Sequence, residues 1–305
     1  MSENFSENLP PQFSKNVLGT CGERGERWLN DLPVTIGEIA ARWSLAMEKP
    51  FPNLSYNYVA ACVRADGSHA VLKIGLPEEK PEIFNEANFL QIWNGEGAVK
   101  LLEFDRKNRA MLLERLSPGK HLKEIFCGNE TQAVKIAIDV MKKLRRKPIA
   151  DSEFRRLEDW FKGFDRAENT NFPKEYVRKA QGFFDELNSH QNYLIHGDLH
   201  HENILSATRE PFLAIDPKGI IGDIGYEISV FLNNHRWWLE SEPNLQEKLD
   251  DAVRQFSEAF AIEPQDLRKW AFAQMVLSAW WTFEDGRSDW EKWLACAEIW
   301  DGILQ

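Results

Sequence analysis

The chain has 305 residues, 43% of them hydrophobic and 28% charged, which is ordinary for a globular protein and enough for two modest cores or one large one. Its net charge of −11 argues against a nucleic-acid partner, because phosphate backbones are bound by clustered Lys and Arg. The surplus acid either attracts a cationic small molecule or simply keeps the chain in solution. The four cysteines (Cys21, Cys62, Cys127, Cys296) are scattered with no CxxC pair, so neither a zinc site nor a disulfide framework follows. Residues 1–8 are acidic and polar, and no apolar run reaches membrane-spanning length, so a soluble, cytoplasmic protein without a membrane partner is expected.

In chain order, the opening 50 residues read as short helices, at 13–30 (interrupted by Gly19, Gly22 and Gly25) and at 36–43. Residues 56–64 and 68–74 read as a strand pair around the turn Asp66-Gly67. A helix follows at 82–93, closed by Asn94-Gly95, then strands at 99–104 and 109–113. Ser117-Pro118-Gly119 looks like a linker.

Beyond it the pattern is helical at 131–146, 154–164 and 174–187. Two short apolar runs, 193–195 and 212–215, read as strands framing a polar loop. From Gly225 to the end everything reads as helix, including a capping-box start at Ser288-Asp289-Trp290-Glu291. Many of the twelve tryptophans fall in this last part, from Trp237 and Trp238 to Trp300, which suits helix packing better than a sugar-binding wall. The outline is α+β: a strand-rich lobe over residues 1–116 and a larger helical lobe over 117–305. No exposed apolar helix stands apart from the expected cores, so a monomer is expected.

The polar loop carries the chemistry. It reads His196-Gly197-Asp198-Leu199-His200-His201-Glu202-Asn203, and Asp216 closes the next strand. Transfer of a phosphoryl group from ATP needs a carboxylate for the proton of the attacking hydroxyl, which suits Asp198. It also needs oxygen ligands for Mg2+, which suits Asn203 and Asp216. A zinc cluster of the three histidines fits less well, because His200 and His201 are adjacent rather than spaced along one helix face. Upstream, Lys73 lies among apolar residues in Ala70-Val71-Leu72-Lys73-Ile74, where an ammonium is costly unless paired. Glu86 on the following helix is its natural partner, and such a pair aims an ammonium at ATP phosphates.

Taken together, Val-Leu-Lys, the helix Glu, His-Gly-Asp-x-x-x-x-Asn and Ile-Asp resemble the aminoglycoside phosphotransferase branch of the kinase-like superfamily. Arg64-Ala65-Asp66-Gly67, Ala214-Ile215-Asp216-Pro217-Lys218-Gly219, Gly222-Asp223 and Tyr226-Glu227 resemble its streptomycin 6-kinase and hydroxyurea phosphotransferase group. The likeness spans nearly the whole chain. It implies a bilobal protein-kinase-like fold, with a small antiparallel-sheet lobe and a mainly helical lobe, and ATP- and Mg2+-dependent phosphorylation of a small-molecule hydroxyl, an aminoglycoside such as streptomycin being the expected acceptor.

The resemblance also implies roles. Asp198 is the base, His196 braces its loop, Asn203 and Asp216 hold Mg2+, Lys73 meets the phosphates and Glu86 fixes Lys73. The segment Glu114-Arg115-Leu116 supplies backbone groups for adenine. The sequence departs from kinases in having no glycine-rich loop. The matching turn is Asn53-Leu54-Ser55-Tyr56-Asn57, so backbone amides and Ser55 would cradle the phosphates. It also has no Ala-Pro-Glu segment and no long activation loop, which disfavours a protein acceptor. Lys218 is either a phosphate contact or a solvated loop lysine, and Asp223 is expected to cap the next helix. Acidic residues such as Glu284, Asp285 and Asp289 are either ligands for amino or guanidino groups or solvated. A metabolic kinase for a sugar or amino alcohol, and a nucleotide-binding pseudokinase, are the alternatives.

Overall fold

The computed structural model describes residues 9–79, 81–148, 154–188, 193–234 and 244–304; the readings of residues 1–8, Trp237 and Trp238 lie outside them. The chain divides into two compact units, Met1–Gly119 and Lys120–Gln305.

The first unit opens with α1 (Pro11–Trp43), with proline at its start, where a missing N–H costs nothing. The two helices expected here are joined, and only Gly22 leaves helical geometry (φ 52, ψ −131), a conformation reserved for glycine. Ser44 ends α1 in the left-handed region. Residues 45–50 correct the expectation of a wholly helical opening, for they form strand β1 (Leu45–Pro50). It is an edge strand with a single neighbour, and its sequence Leu-Ala-Met-Glu-Lys-Pro, ending in proline, lacks the polar–apolar alternation that betrays a strand.

β2 (Tyr58–Arg64) and β3 (His69–Ile74) pair antiparallel, as expected. The Asp66 carboxylate accepts from the Ser68 amide at 2.9 Å, closing their turn. α2 (Glu82–Trp93) leads from β3 to β4 (Leu101–Asp105), and β5 (Ala110–Glu114) inserts beside β3. The result is a five-stranded antiparallel sheet in the order β1-β2-β3-β5-β4. Its core joins Phe13, Val17, Leu32 and Ile39 of α1 to Tyr58, Leu72, Ile74 and Leu112 of the sheet.

The chain enters the second unit through β6 (Pro118–His121), where a linker was expected. α3 (Leu122–Ile125) and α4 (Glu130–Leu144) follow, the latter capped by Asn129, whose side chain accepts from the Gln132 amide. The helix expected at 154–164 is broken up. It contains β7 (Arg155–Arg156), the short α5 (Leu157–Phe161) and the start of a 3-10 segment, Lys162–Asn169. α6 (Lys174–Leu187) matches its expected bounds.

The two short strands thought to frame the polar loop, β8 (Tyr193–Ile195) and β10 (Phe212–Ala214), lie in different sheets. β10 pairs with β9 (Ile204–Ala207), which also neighbours β6, while β8 pairs with β11 (Ile220–Gly222), which also neighbours β7. The loop therefore runs from one small sheet to the other.

α7 (Ile224–Asn233), α8 (Leu245–Phe260), α9 (Pro264–Glu284) and α10 (Trp290–Leu304) complete the unit. α9 packs against α6, α7 and α10 and is buried along most of its length. Trp270, Trp280 and Trp300 are core residues, as helix packing requires. Just before α10, where a capping box was expected, the Asp289 carboxylate is gripped by the Arg287 guanidinium. Among the described residues, no helix is long and apolar enough to cross a membrane.

Candidate active site

In the first unit, Lys73 sits on β3 with its register partner Val59 on β2 and Met111 on β5. It is 5% exposed, and Glu86 on α2 is 4% exposed. Their side chains meet at 2.6 Å. Two charges taken this far from water hold only because each neutralises the other. The ammonium is thereby fixed on a strand rather than left to wander on its four-carbon stem.

Ser55 lies exposed in the turn between β1 and β2, and its carbonyl accepts from the Asn16 side chain at 2.8 Å. Glu114 ends β5. Its amide donates to the Lys100 carbonyl at 2.9 Å and its carboxylate accepts from the Lys100 amide at 3.2 Å. Leu116 follows in irregular chain, and among the described residues no hydrogen bond engages its backbone. A backbone N–H and C=O left open there suit an edge-on contact with a flat heterocycle.

In the second unit, His196 is fully buried and clamps both sides of Asp216. Its Nδ1 accepts from the Asp198 amide at 3.2 Å, which puts the ring proton on Nε2, where it donates to the Ile215 carbonyl at 2.8 Å. The His196 carbonyl in turn accepts from the amides of Lys218 (2.8 Å) and Gly219 (3.1 Å). Burial pushes the imidazole pKa down to about 3, so the ring is neutral, as this bonding pattern demands. Between the clamps, Asp216 adopts φ +59, although it precedes Pro217, which favours extended backbone. Backbone strain of this kind persists only where neighbours over-determine it.

Asp198 follows Gly197, whose φ of +83 strains any side chain and where an added Cβ would lie only 3.0 Å from the Ile220 side chain. The Asp198 carboxylate lies 3.9 Å from the Lys218 ammonium and 3.9 Å from His200 Nε2. Lys218 thus faces the Asp198 carboxylate. Asn203 Nδ2 donates to the Asp198 carbonyl at 2.9 Å, so its amide oxygen is the end left to face a cation. With the Asp216 carboxylate it offers the hard oxygen donors that Mg2+ takes. The three histidines of the loop turn to different partners. His196 bonds Ile215, His200 Nδ1 accepts from the Glu202 amide, and His201 meets Glu130 at 3.3 Å.

Two acids lie at the start of α7, one capping the helix and one holding the loop. Asp223 is the N-cap, accepting from the Gly225 amide at 2.6 Å, and burial pushes its pKa up to about 6. Glu227, 2% exposed, accepts from the Gly197 amide at 2.7 Å. Burial pushes its pKa up to about 8, opposed by that hydrogen bond and reinforced by the charge of Asp198. The sequence reading quoted Glu227 without a role. The signal was there: it is a lone acid within a helix whose every described residue, Ile224 to Asn233, is buried.

Two of the three acids considered for a cationic acceptor, Glu284 and Asp289, are already occupied by internal cations. Arg166 grips Glu284 through two bonds of 2.6 and 2.8 Å, and Arg287 grips Asp289 through bonds of 3.1 and 2.9 Å. Burial raises the pKa of Asp285 between them.

Comparison with known proteins gives the family and the fold. A family profile described as aminoglycoside/hydroxyurea antibiotic resistance kinase matches residues 42–286. A streptomycin 6-kinase of Streptomyces griseus is 25% identical over 94% of both chains. A hydroxyurea phosphotransferase of Kitasatospora aureofaciens is 29% identical, covering 95% of this chain and 85% of that one. Among solved structures, the choline kinase LicA of Streptococcus pneumoniae superposes with a TM-score of 0.62 at 14% identity, covering 89% of this chain and 99% of that one. The fold is therefore kinase-like.

Proposed function

Because this chain belongs to the aminoglycoside/hydroxyurea antibiotic resistance kinase family, and so is a small-molecule phosphotransferase acting on a hydroxyl group, we propose that its acceptor is an aminoglycoside, streptomycin foremost. What supports the acceptor is the likeness to streptomycin 6-kinases, and what supports the catalytic reading is the buried His196 ring, which bonds the Asp198 amide on one side and the Ile215 carbonyl, next to Asp216, on the other.

In this reading Asp198 accepts the proton of the attacking hydroxyl. As the new oxygen–phosphorus bond forms, the bond to the β-phosphate bridging oxygen breaks, and ADP leaves. Lys218, facing the base, holds negative charge that gathers there. Lys73, fixed by Glu86, orients the phosphates, and the turn carrying Ser55 offers them its amides. Glu114 and Leu116 present backbone groups to adenine. Asn203 and Asp216 would hold Mg2+, which when bound neutralises charge on the phosphates.

The test is transfer of phosphate from ATP and Mg2+ to a panel of streptomycin, other aminoglycosides, hydroxyurea, sugars and amino alcohols. Streptomycin is expected to show the highest kcat/KM. A sugar or amino alcohol far ahead of every aminoglycoside would overturn the acceptor assignment. Asp198→Ala is expected to lower kcat by about 100-fold or more with nucleotide affinity nearly unchanged, the usual size of a lost general base. Undiminished turnover would remove Asp198 from the mechanism.

A further inference from the structure

A phosphate-facing turn without glycine has no freedom to mould itself around its ligand, so its shape must be set beforehand. In the first unit, contacts on three residues set the shape of the turn at 53–57. Leu54 is buried in the core cluster that also holds Phe13, Val17 and Cys21 of α1. The Ser55 carbonyl accepts from Asn16 Nδ2 at 2.8 Å, and Gln12 donates to Asn16 Oδ1 at 2.8 Å, which keeps the amide nitrogen turned to the loop. Asn57 Oδ1 accepts from the Leu76 amide at 3.4 Å, just past the strand that carries Lys73.

The start of α1 can take up this position because of two glycines. Gly22 breaks the helix with a backbone that side chains disfavour (φ 52). A Cβ on Gly25 would lie 2.6 Å from the Val17 carbonyl, so the two stretches approach more closely than any other residue allows. This opening stretch precedes residues 42–286, which the family profile matches.

We infer that the start of α1 is a brace for nucleotide binding and that Asn16 is a positioning residue, acting through the Ser55 carbonyl. The inference rests on the reading that this turn faces the phosphates. A loop already ordered pays less entropy when its ligand arrives, so the brace acts on nucleotide affinity and not on the chemical step. The Ser55 carbonyl is held away from the phosphates, which leaves neighbouring amides to face them.

The experiment uses the full chain and four variants: Asn16→Ala, Asn16→Asp (the same shape without the donor), Gln12→Ala and Ser55→Glu. For Asn16→Ala and Asn16→Asp, KM for ATP and the dissociation constant for a non-hydrolysable ATP analogue are expected to rise about 3- to 10-fold, the range of one lost hydrogen bond. Their kcat and acceptor KM should stay within about 2-fold, and Gln12→Ala should show a smaller rise of the same kind. Ser55→Glu sets a negative charge on the turn and reports whether it faces the phosphates. If Ser55→Glu raises KM for ATP while both Asn16 variants bind nucleotide normally, the brace is refuted and the phosphate-facing reading stands. If none of the four alters nucleotide binding, the reading of the turn falls and the brace with it. A parallel loss of kcat, both KM values and thermal stability in the Asn16 variants would mark a merely structural contact and also overturn the inference.

Discussion

The Gly197 amide donates to the buried Glu227 carboxyl at 2.7 Å, so an acid on α7 holds the residue just before Asp198. Burial raises the pKa of that acid from 4.5 to about 8. Across this window the folded chain keeps a proton that the unfolded chain releases, so the linked stability is lost as pH rises through it. Glu227→Gln, which cannot ionise, should therefore lose less stability than the wild type between about pH 5 and about pH 9. Urea midpoints at both pH values measure this. Equal losses in the two proteins would show that Glu227 does not titrate in that window.

Lys73 and Glu86 make a different kind of demand, because both charges are almost wholly buried. Removing one partner strands the other, at a cost of about 3–5 kcal/mol for a buried pair. Glu86→Ala should reduce stability by that order in denaturant titrations. The double variant Lys73→Met with Glu86→Leu should be more stable than Glu86→Ala alone, though inactive, because no buried charge remains. A double variant as unstable as the single one would mean that packing, and not charge, sets the cost.

These two acids also show how far the sequence could be read. Glu86 was legible because its partner is a lysine inside an apolar strand, and both lie in a short stretch of chain with strong local signals. Glu227 stood out only as a lone acid in an apolar helix, and its partner, a backbone amide 30 residues away, was not legible. The hairpin β2–β3, helix α2 and helix α6 were legible for the same local reason: turn residues and one-sided apolar spacing mark them. β1 was missed because this edge strand, Leu-Ala-Met followed by Glu-Lys-Pro, carries no polar–apolar alternation. β8 and β10 were found as strands, but β9 between them was not, and which sheet each strand joins depends on contacts distant in sequence. The loop residues His196, Asp198, Asn203 and Asp216 were legible as types at set spacing. The bend that Asp216 makes at φ +59 was not.

That bend carries a prediction of its own. A side chain in the left-handed region costs about 1 kcal/mol relative to glycine. The site tolerates this at Asp216 because His196 pins the chain on both sides. Asp216→Gly should relieve the strain and raise the melting temperature, or at least leave it unchanged, while abolishing phosphate transfer. Asp216→Ala keeps the strain, lacks the carboxylate and should be no more stable than the wild type. If glycine proved the less stable of the two, the conformation would be better explained by favourable contacts of the carboxylate than by strain held for function.

Glu284 and Asp289 were candidates for gripping amino or guanidino groups of an acceptor, yet each already holds a planar guanidinium in a two-bond fork. An incoming cation would have to displace Arg166 or Arg287, exchanging like for like with no gain in charge pairing. Arg166 is 63% exposed and Glu284 26%, so this pair stays close to water. Exposed pairs are worth about 0.2–1 kcal/mol, and loss of either fork should lower stability by no more than that. Glu284→Ala and Asp289→Ala should accordingly leave the acceptor KM within about 2-fold, well below the loss of a direct charged hydrogen bond. Steady-state kinetics with the best acceptor from the panel decides the matter. A rise of about 10-fold or more in acceptor KM, with KM for ATP unchanged, would mean that the acceptor does displace an arginine and that the acids form part of its site.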